Sequence, residues 1–173
     1  GAHTHSRAGN ALTGLGDSTG DGRSDVLIAA EHTGLHESES PDGAVYLFPG
    51  LHLSAWKPRG LEEAPIQIMG EKGERLGHSL SALGDINGDG ISDLLVGAYA
   101  ADPGGRSRAG KTYAVFGSNN PSAWGSGSVP LSSVIDGMKG FVLEGEVADD
   151  FSGWSVSSAG DINGDGISDL LVG

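Results

Sequence analysis

One loop, written three times, constrains this chain more than any other feature. Asp85-Ile86-Asn87-Gly88-Asp89-Gly90-Ile91-Ser92-Asp93 runs straight into the apolar Leu94-Leu95-Val96-Gly97, and the same thirteen letters return from Asp161 to Gly173. An altered copy, Asp17-Ser18-Thr19-Gly20-Asp21-Gly22-Arg23-Ser24-Asp25, leads into Val26-Leu27-Ile28. The leading aspartates are 68 and 76 residues apart. A repeat of that length is one supersecondary unit that buries its faces only by stacking on its neighbours.

The residue types in the loop suit a hard divalent cation, which takes about six to eight oxygen ligands when it is calcium. Alternate positions of a tightly coiled loop turn to one side. Positions one, three, five and nine are Asp85, Asn87, Asp89 and Asp93 in one copy and Asp161, Asn163, Asp165 and Asp169 in its twin. Position seven, Ile91 or Ile167, offers its backbone carbonyl, so its side chain is free to be apolar. Three carboxylates this close repel one another unless a cation lies between them. The glycines at positions four and six permit backbone angles that a β-carbon resists. In the first loop the ligands would be Asp17, Thr19, Asp21, the carbonyl of Arg23, and Asp25. There a hydroxyl replaces an amide oxygen, so of up to three Ca2+ sites, one per loop, this is expected to be the weakest. The competing reading is a metal-free set of Asx-turns. An EF-hand does not fit, because its twelfth position is a bidentate glutamate, and here that position is Val96 or Val172.

Composition narrows the function. The net charge is −13, and the three loops hold nine of the 23 acidic residues, so three divalent ions would offset six of those charges. The sequence shows no basic cluster to release counterions, which argues against nucleic acid. There is no cysteine, which excludes disulfides and thiolate zinc sites. No run of about 18 apolar residues is present to span a membrane. Thirty-one glycines and 6% aromatics are too turn-rich for a helical protein.

The repeat extends beyond the loop. Gly9, Gly77 and Gly153 stand eight residues ahead of each leading aspartate, and Gly16, Gly84 and Gly160 immediately ahead of it. Leu12, Leu80 and Val156 hold the same offset of five. Short apolar runs between turn signals read as buried strands. Further strands are expected at Gly43–Phe48 and Gly110–Phe116, and a fourth in each repeat at Pro65–Glu71 and Gly140–Glu146. Each repeat thus reads as four short strands with no convincing helix, and four-stranded antiparallel sheets repeated radially are the blades of a β-propeller. Residues 1–8 are a tail or a remnant, 9–76 the first repeat, 77–152 the second, and 153–173 the truncated start of a third. A ring needs about four to eight blades. The chain is therefore expected to be part of a longer propeller, or to assemble with copies of itself.

With Leu76-Gly77-His78-Ser79 and Phe151-Ser152-Gly153-Trp154-Ser155 ahead of the loop, Gly97-Ala98 behind it, and Tyr46 and Tyr113 in matching strands, the pattern resembles the FG-GAP repeats of integrin alpha-subunit heads and their relatives. Departures are Ser152 between the Phe and the Gly, Tyr99 where the family has Pro, and Ala29-Ala30 for Gly-Ala. None of them touches a calcium ligand. The resemblance implies a calcium-bearing propeller, usually of seven blades, with ions in the loops joining the first and second strands. Such proteins are mostly extracellular, bind proteins or glycans, and are sometimes appended to enzymes such as glycosylphosphatidylinositol phospholipase D.

Other candidates are weaker. His32 and His36 are four apart beside Glu37, but they lie in a Gly- and Ser-containing loop with no helix signal. Glu62-Glu63 and Asp149-Asp150 have no opposing carboxylate to make a glycosidase pair. Trp56 and Trp124 occupy corresponding connections, and Trp154 reads as strand packed between blades. The leading expectation is a non-enzymatic, calcium-stabilised extracellular module for adhesion or ligand binding. Its protein or glycan partner would be met by the variable loops Glu31–Asp42 and Tyr99–Arg108. The alternatives are the accessory propeller of a secreted, phospholipase D-like hydrolase, or a glycan-binding lectin.

Overall fold

The computed structural model describes residues 7–33, 42–50, 60–120, 127–133, 135 and 139–173. Among these, all regular structure is β apart from short 3-10 turns at Leu61–Glu63, Pro103–Gly105 and Leu131–Ser133. The first sheet is built from β1 (Ala8–Gly14), β2 (Val26–Ala30), β3 (Ala44–Phe48) and β4 (Ile66–Met69), in that order and all antiparallel. The second comprises β5 (Ser79–Gly84), β6 (Asp93–Ala98), β7 (Lys111–Val115) and β9 (Gly140–Glu144), again antiparallel in chain order. The third sheet is the pair β10 (Val156–Gly160) and β11 (Asp169–Val172). The described residues are all-β: two four-stranded propeller blades and two strands of a third, with the ring not closed.

Period-two alternation sends side chains to opposite faces of each blade. In β6, Leu94, Val96 and Ala98 join one cluster with Leu27, Val45, Leu47 and Ile68 of the first blade, and Tyr113 and Val115 of β7 belong to it too. Leu95 and Ala114 point the other way, against Leu83 and Val156, with Leu170 of the third sheet packed on them. The apolar runs of the sequence are therefore continuous because both faces of the second blade are covered, which is the reading of a fully buried strand.

One strand departs from the repeat. β8 (Gly127–Pro130), in the connection between β7 and β9, lies on the first blade, pairing parallel with β4 from Ile66↔Gly127 to Met69↔Pro130. It gives the first sheet five strands and covers the exposed edge of β4. Pro130 ends it at an edge, where a missing N–H costs no ladder bond.

Because successive strands are antiparallel, connections alternate between two ends. The loops β1–β2, β5–β6 and β10–β11 share one end. The connections β2–β3, β4–β5, β6–β7 and β9–β10 share the other.

Candidate functional site

All three predicted loops lie at the first end, each joining the first two strands of its sheet. In the second loop, Asp85 Oδ1 accepts from the backbone N–H groups of Gly88 (2.7 Å) and Asp89 (3.1 Å), and Asp85 Oδ2 from that of Gly90 (2.7 Å). The Asp89 N–H also donates to Asn87 Oδ1 (3.0 Å), and the Asn87 amide donates to Asp89 Oδ2 (3.0 Å). Positions one, three and five thus converge on one turn of backbone. Gly88 and Gly90 have φ of 79° and 84°, in the left-handed region that only glycine enters freely. The third loop repeats this on Asp161, Asn163 and Asp165, with Asp161 accepting from Gly164, Asp165 and Gly166. In the first loop Asp17 accepts from Asp21 (3.0 Å) and Gly22 (2.7 Å). There the Arg23 N–H donates to Asp21 Oδ1 (2.9 Å), as those of Ile91 and Ile167 do to Asp89 and Asp165.

Position nine behaves differently. Asp93 is fully buried, and its two oxygens accept from the N–H groups of Ile86 and Gly117, both at 2.8 Å. Asp25 is likewise buried, held by Ser18 N–H (2.9 Å), Ser18 Oγ (2.6 Å) and Gly50 N–H (2.7 Å). Each ties its loop to the segment that leaves the third strand of its own blade. Gly117 is glycine for a spatial reason, since a β-carbon there would lie 2.4 Å from the Ile91 side chain. Sequence reading missed these partners because they lie 24 and 25 residues beyond the aspartate they serve.

The loops fit a cation in donor chemistry, not as a closed cage. Among the described residues, no three acidic or histidine side chains are gathered ready to hold an ion. Burial pushes the Asp93 carboxyl up to about 6, and the charges of Asp89 and Asp85 add to that push against the N–H groups of Ile86 and Gly117. Thr19 Oγ1 is buried without a hydrogen-bond partner at position three of the first loop. An oxygen that is buried and unsatisfied costs free energy that an ion or a water would recover. A carboxylate oxygen that accepts a backbone N–H keeps a second lone pair with which to ligate an ion.

The first loop is also walled by the second blade. Ser92 N–H donates to Asp17 O (2.8 Å), Ser118 N–H donates to Ser18 O (3.0 Å), and Asn119 closes over Gly20.

At the opposite end, Tyr99–Arg108 is described, as are Glu31–Thr33 and Asp42. The rest of the loop Glu31–Asp42, including His36 and Glu37, lies outside the described residues, as do Trp56 and Trp124. Trp154 is not in a strand. It occupies the bend just before β10, more than half exposed, with its ring 4.7 Å from that of His78 and 4.6 Å from that of Tyr99. It does bridge blades, as expected. Glu31, buried at the seam, receives Arg7 (2.9 Å) and lies 2.6 Å from His78 Nδ1. Burial alone would push Glu31 up, but these hydrogen bonds and the neighbouring histidine charges hold its carboxyl below the usual range. No helix among the described residues is long and apolar enough to cross a membrane.

Residues 76–115 and 152–173 match the FG-GAP repeat, which takes in β5–β7, the second and third loops, β10 and β11. Integrin alpha-PS3 of Drosophila melanogaster is 31% identical over 157 residues, covering 91% of this chain and 12% of that protein. Integrin alpha-7 of Mus musculus is 32% identical over 161 residues, covering 91% and 11%. Integrin alpha-PS5 of Drosophila melanogaster is 40% identical over 88 residues, covering 51% and 8%. The chain thus spans about a tenth of the length of the relatives it matches. With the repeated loop-and-strand unit, the stacked four-stranded blades and these matches together, the chain belongs to the FG-GAP repeat family of β-propellers, the integrin alpha type.

Proposed function

We propose that the chain is a ligand-binding propeller module of the adhesion type, extracellular and non-enzymatic, whose blades are stiffened by Ca2+. The observation that carries this is the shared geometry of the three loops at one end of the blades. In each, the first aspartate is fixed by two or three backbone amides and the later ligands are brought beside it. The ion would be held by Asp85, Asn87, Asp89, the Ile91 carbonyl and Asp93, and by the matching residues of the other two loops. Bound calcium supplies positive charge that lets these carboxylates sit together, and it has no chemical step to perform. Asp93 already ties its loop to Gly117, so an ion there would lock the β5–β6 turn to the exit of β7.

Ligand contact then falls to the opposite end, where Tyr99–Arg108 and Glu31–Asp42 vary between repeats while the scaffold repeats. The relatives named above are integrin alpha subunits of which the chain spans about a tenth, and that likeness favours a protein ligand and assembly with further blades. Thermal melting in Ca2+, in Mg2+ and in chelator tests the reading. A ligand that binds only the folded state stabilises it by about 2.7 kcal/mol at a hundredfold excess over its Kd. The melting temperature is expected to rise in Ca2+ and to fall back in chelator, and native mass spectrometry to count up to three ions. Coincident melting curves in Ca2+ and chelator would remove the calcium reading.

A further inference from the structure

The end opposite the three loops is mixed in charge: Arg7, Lys72, Arg75, Arg106, Arg108 and Lys111, six of the ten Lys and Arg, lie there among carboxylates such as Glu31, Glu74, Glu144 and Asp149. Arg7 is matched by Glu31, and Arg106 by Glu144. Lys72, Arg75 and Arg108 instead line an open cleft of about 460 Å³ between the β4–β5 and β6–β7 connections, with Gly73, Ala100, Asp102 and Ser107. Neither Lys72 nor Arg75 forms an ion pair among the described residues. The Arg75 guanidinium donates to the Tyr99 hydroxyl at 3.0 Å, and Arg108 pairs with the exposed Asp149 at 2.6 Å. In the sequence these cations are up to 36 residues apart, which is why no basic cluster is visible there.

Both walls are held from beneath. Glu74, which stands between Lys72 and Arg75 in the sequence, is buried and accepts from the Tyr113 hydroxyl (2.9 Å), Lys111 Nζ (2.7 Å) and the Glu71 N–H (3.1 Å). Buried Asp42 accepts from the Gly73 N–H (3.1 Å). On the facing wall Asp102 Oδ1 accepts from the Arg108 N–H (2.7 Å). Arg75 and Arg108 have φ of 55° and 51°, a backbone state that costs a residue with a β-carbon free energy and is held only where the surroundings impose it. Two buried carboxylates thus fix the turn that presents Lys72 and Arg75, which form no ion pair among the described residues.

We infer that this cleft binds the acidic group of a sugar, a uronic or sialic acid carboxylate, with Arg75 and Lys72 on the anion and Asp102 and Ser107 on ring hydroxyls. A guanidinium offers a planar fork matched to a carboxylate. Asp102 accepts hydrogen bonds and repels further negative charge, so the lining suits one acidic group among several hydroxyls better than an acidic peptide. The volume lies in the range of small-ligand sites. The inference rests on the reading of this end of the blades as the ligand face, and it names the ligand chemistry there.

Glucuronic acid, glucose and a triglutamate peptide, titrated into the intact calcium-loaded protein by NMR, test it. Glucuronic acid is expected to shift the amides of Gly73, Arg75, Ala100 and Arg108 and to bind at least tenfold more tightly than glucose. Arg75→Gln is expected to weaken it at least tenfold, with Lys72→Gln weaker in effect, at unchanged melting temperature. Should Arg75→Gln unfold the chain, Lys72→Gln, on the exposed side of the turn, carries the test alone. Equal binding of glucose, no binding of either sugar, or tighter binding of triglutamate would each overturn the inference. A ligand whose shifts map to Tyr99–Arg108 but ignore Arg75→Gln would overturn it and leave the ligand-face reading standing.

Discussion

The second and third loops are the same thirteen residues in two surroundings. Inside the loop they are nearly superimposable in their bonds. Gly88 N–H to Asp85 and Gly164 N–H to Asp161 are both 2.7 Å, and Asp89 and Asp165 each donate at 3.1 Å to the first aspartate. Outside the loop they part. Asp93 takes its second N–H from Gly117, a residue of another strand's exit, and is fully buried. Asp169 takes one N–H from Ile162 and a long 3.4 Å contact from Asn163, and stays partly exposed. Leu95 is fully buried under the third sheet, while its twin Leu171 is 54% exposed. Local sequence sets the turn, whereas burial and energetic weight come from the neighbouring strands.

The largest expected divergence is therefore in the strands. Leu95→Ala removes a buried side chain and leaves a cavity, which costs about 3 kcal/mol. In the 173-residue chain, where β11 has only β10 as a partner strand among the described residues, Leu171→Ala should cost under about 0.5 kcal/mol, as exposed substitutions do. Chemical denaturation of both variants measures the pair, and equal losses would break the comparison. Next comes the ninth position. Asp93→Ala strands the Ile86 and Gly117 N–H groups in the interior, at about 1–3 kcal/mol for each unsatisfied buried group. Removing the carboxyl also removes its burial cost, so a net loss of about 2 kcal/mol is expected, against a few tenths for Asp169→Ala.

Metal affinity should follow the local part instead. Asn87→Thr and Asn163→Thr each copy the first loop's third position into a loop that has an amide there. Each should weaken its own Ca2+ site by about tenfold, or about 1.4 kcal/mol. Isothermal titration of the two variants should give similar losses despite the unequal burial of the loops. A loss confined to one of them would mean that the neighbours, and not the turn, set affinity.

This division also marks what could be read from the chain. The strands after each loop, the four-strand repeat and the blade stacking follow from Leu94-Leu95-Val96 and its copies, because burial on both faces leaves an unbroken apolar run. The inward grouping of Asp85, Asn87 and Asp89 follows from Asx-turn chemistry and two glycines. The partner of Asp93 does not follow, since Gly117 N–H is a backbone group with no side-chain signature. Nor does β8, whose Gly127–Pro130 has no alternation and is ordered only by the edge of β4. Nor does the bend that holds Trp154, since Ser152-Gly153-Trp154-Ser155 suits a small-residue strand as well as a turn. The cleft of Lys72, Arg75 and Arg108 exists only once two connections meet.

The smallest effect is the most direct reading of the comparison, and it concerns protons. In metal-free protein the Asp93 carboxyl should titrate near 6, raised by burial first and by Asp89 and Asp85 next. Asp161, in the exposed third loop, should titrate below the usual carboxylate range, because the N–H groups of Gly166, Gly164 and Asp165 stabilise its charge. The two have opposite consequences. A group whose folded pKa lies above its unfolded value adds stability at low pH and loses it as pH rises through the folded pKa. Asp93 should thus make the metal-free chain firmer as pH falls from about 6 toward 4. A depressed pKa adds stability above the unfolded value and loses it as pH falls, so Asp161 should weaken the third loop only below about 4, the unperturbed range. Carbon-detected NMR titration of the carboxyl groups in chelator reads both at once. Ca2+ should then drive the Asp93 midpoint down, since a cation beside the carboxylates favours their charged form. A midpoint for Asp93 at the ordinary value in chelator would mean that the surrounding strands do not keep water from the ninth position of the second loop, and that its burial carries no electrostatic weight.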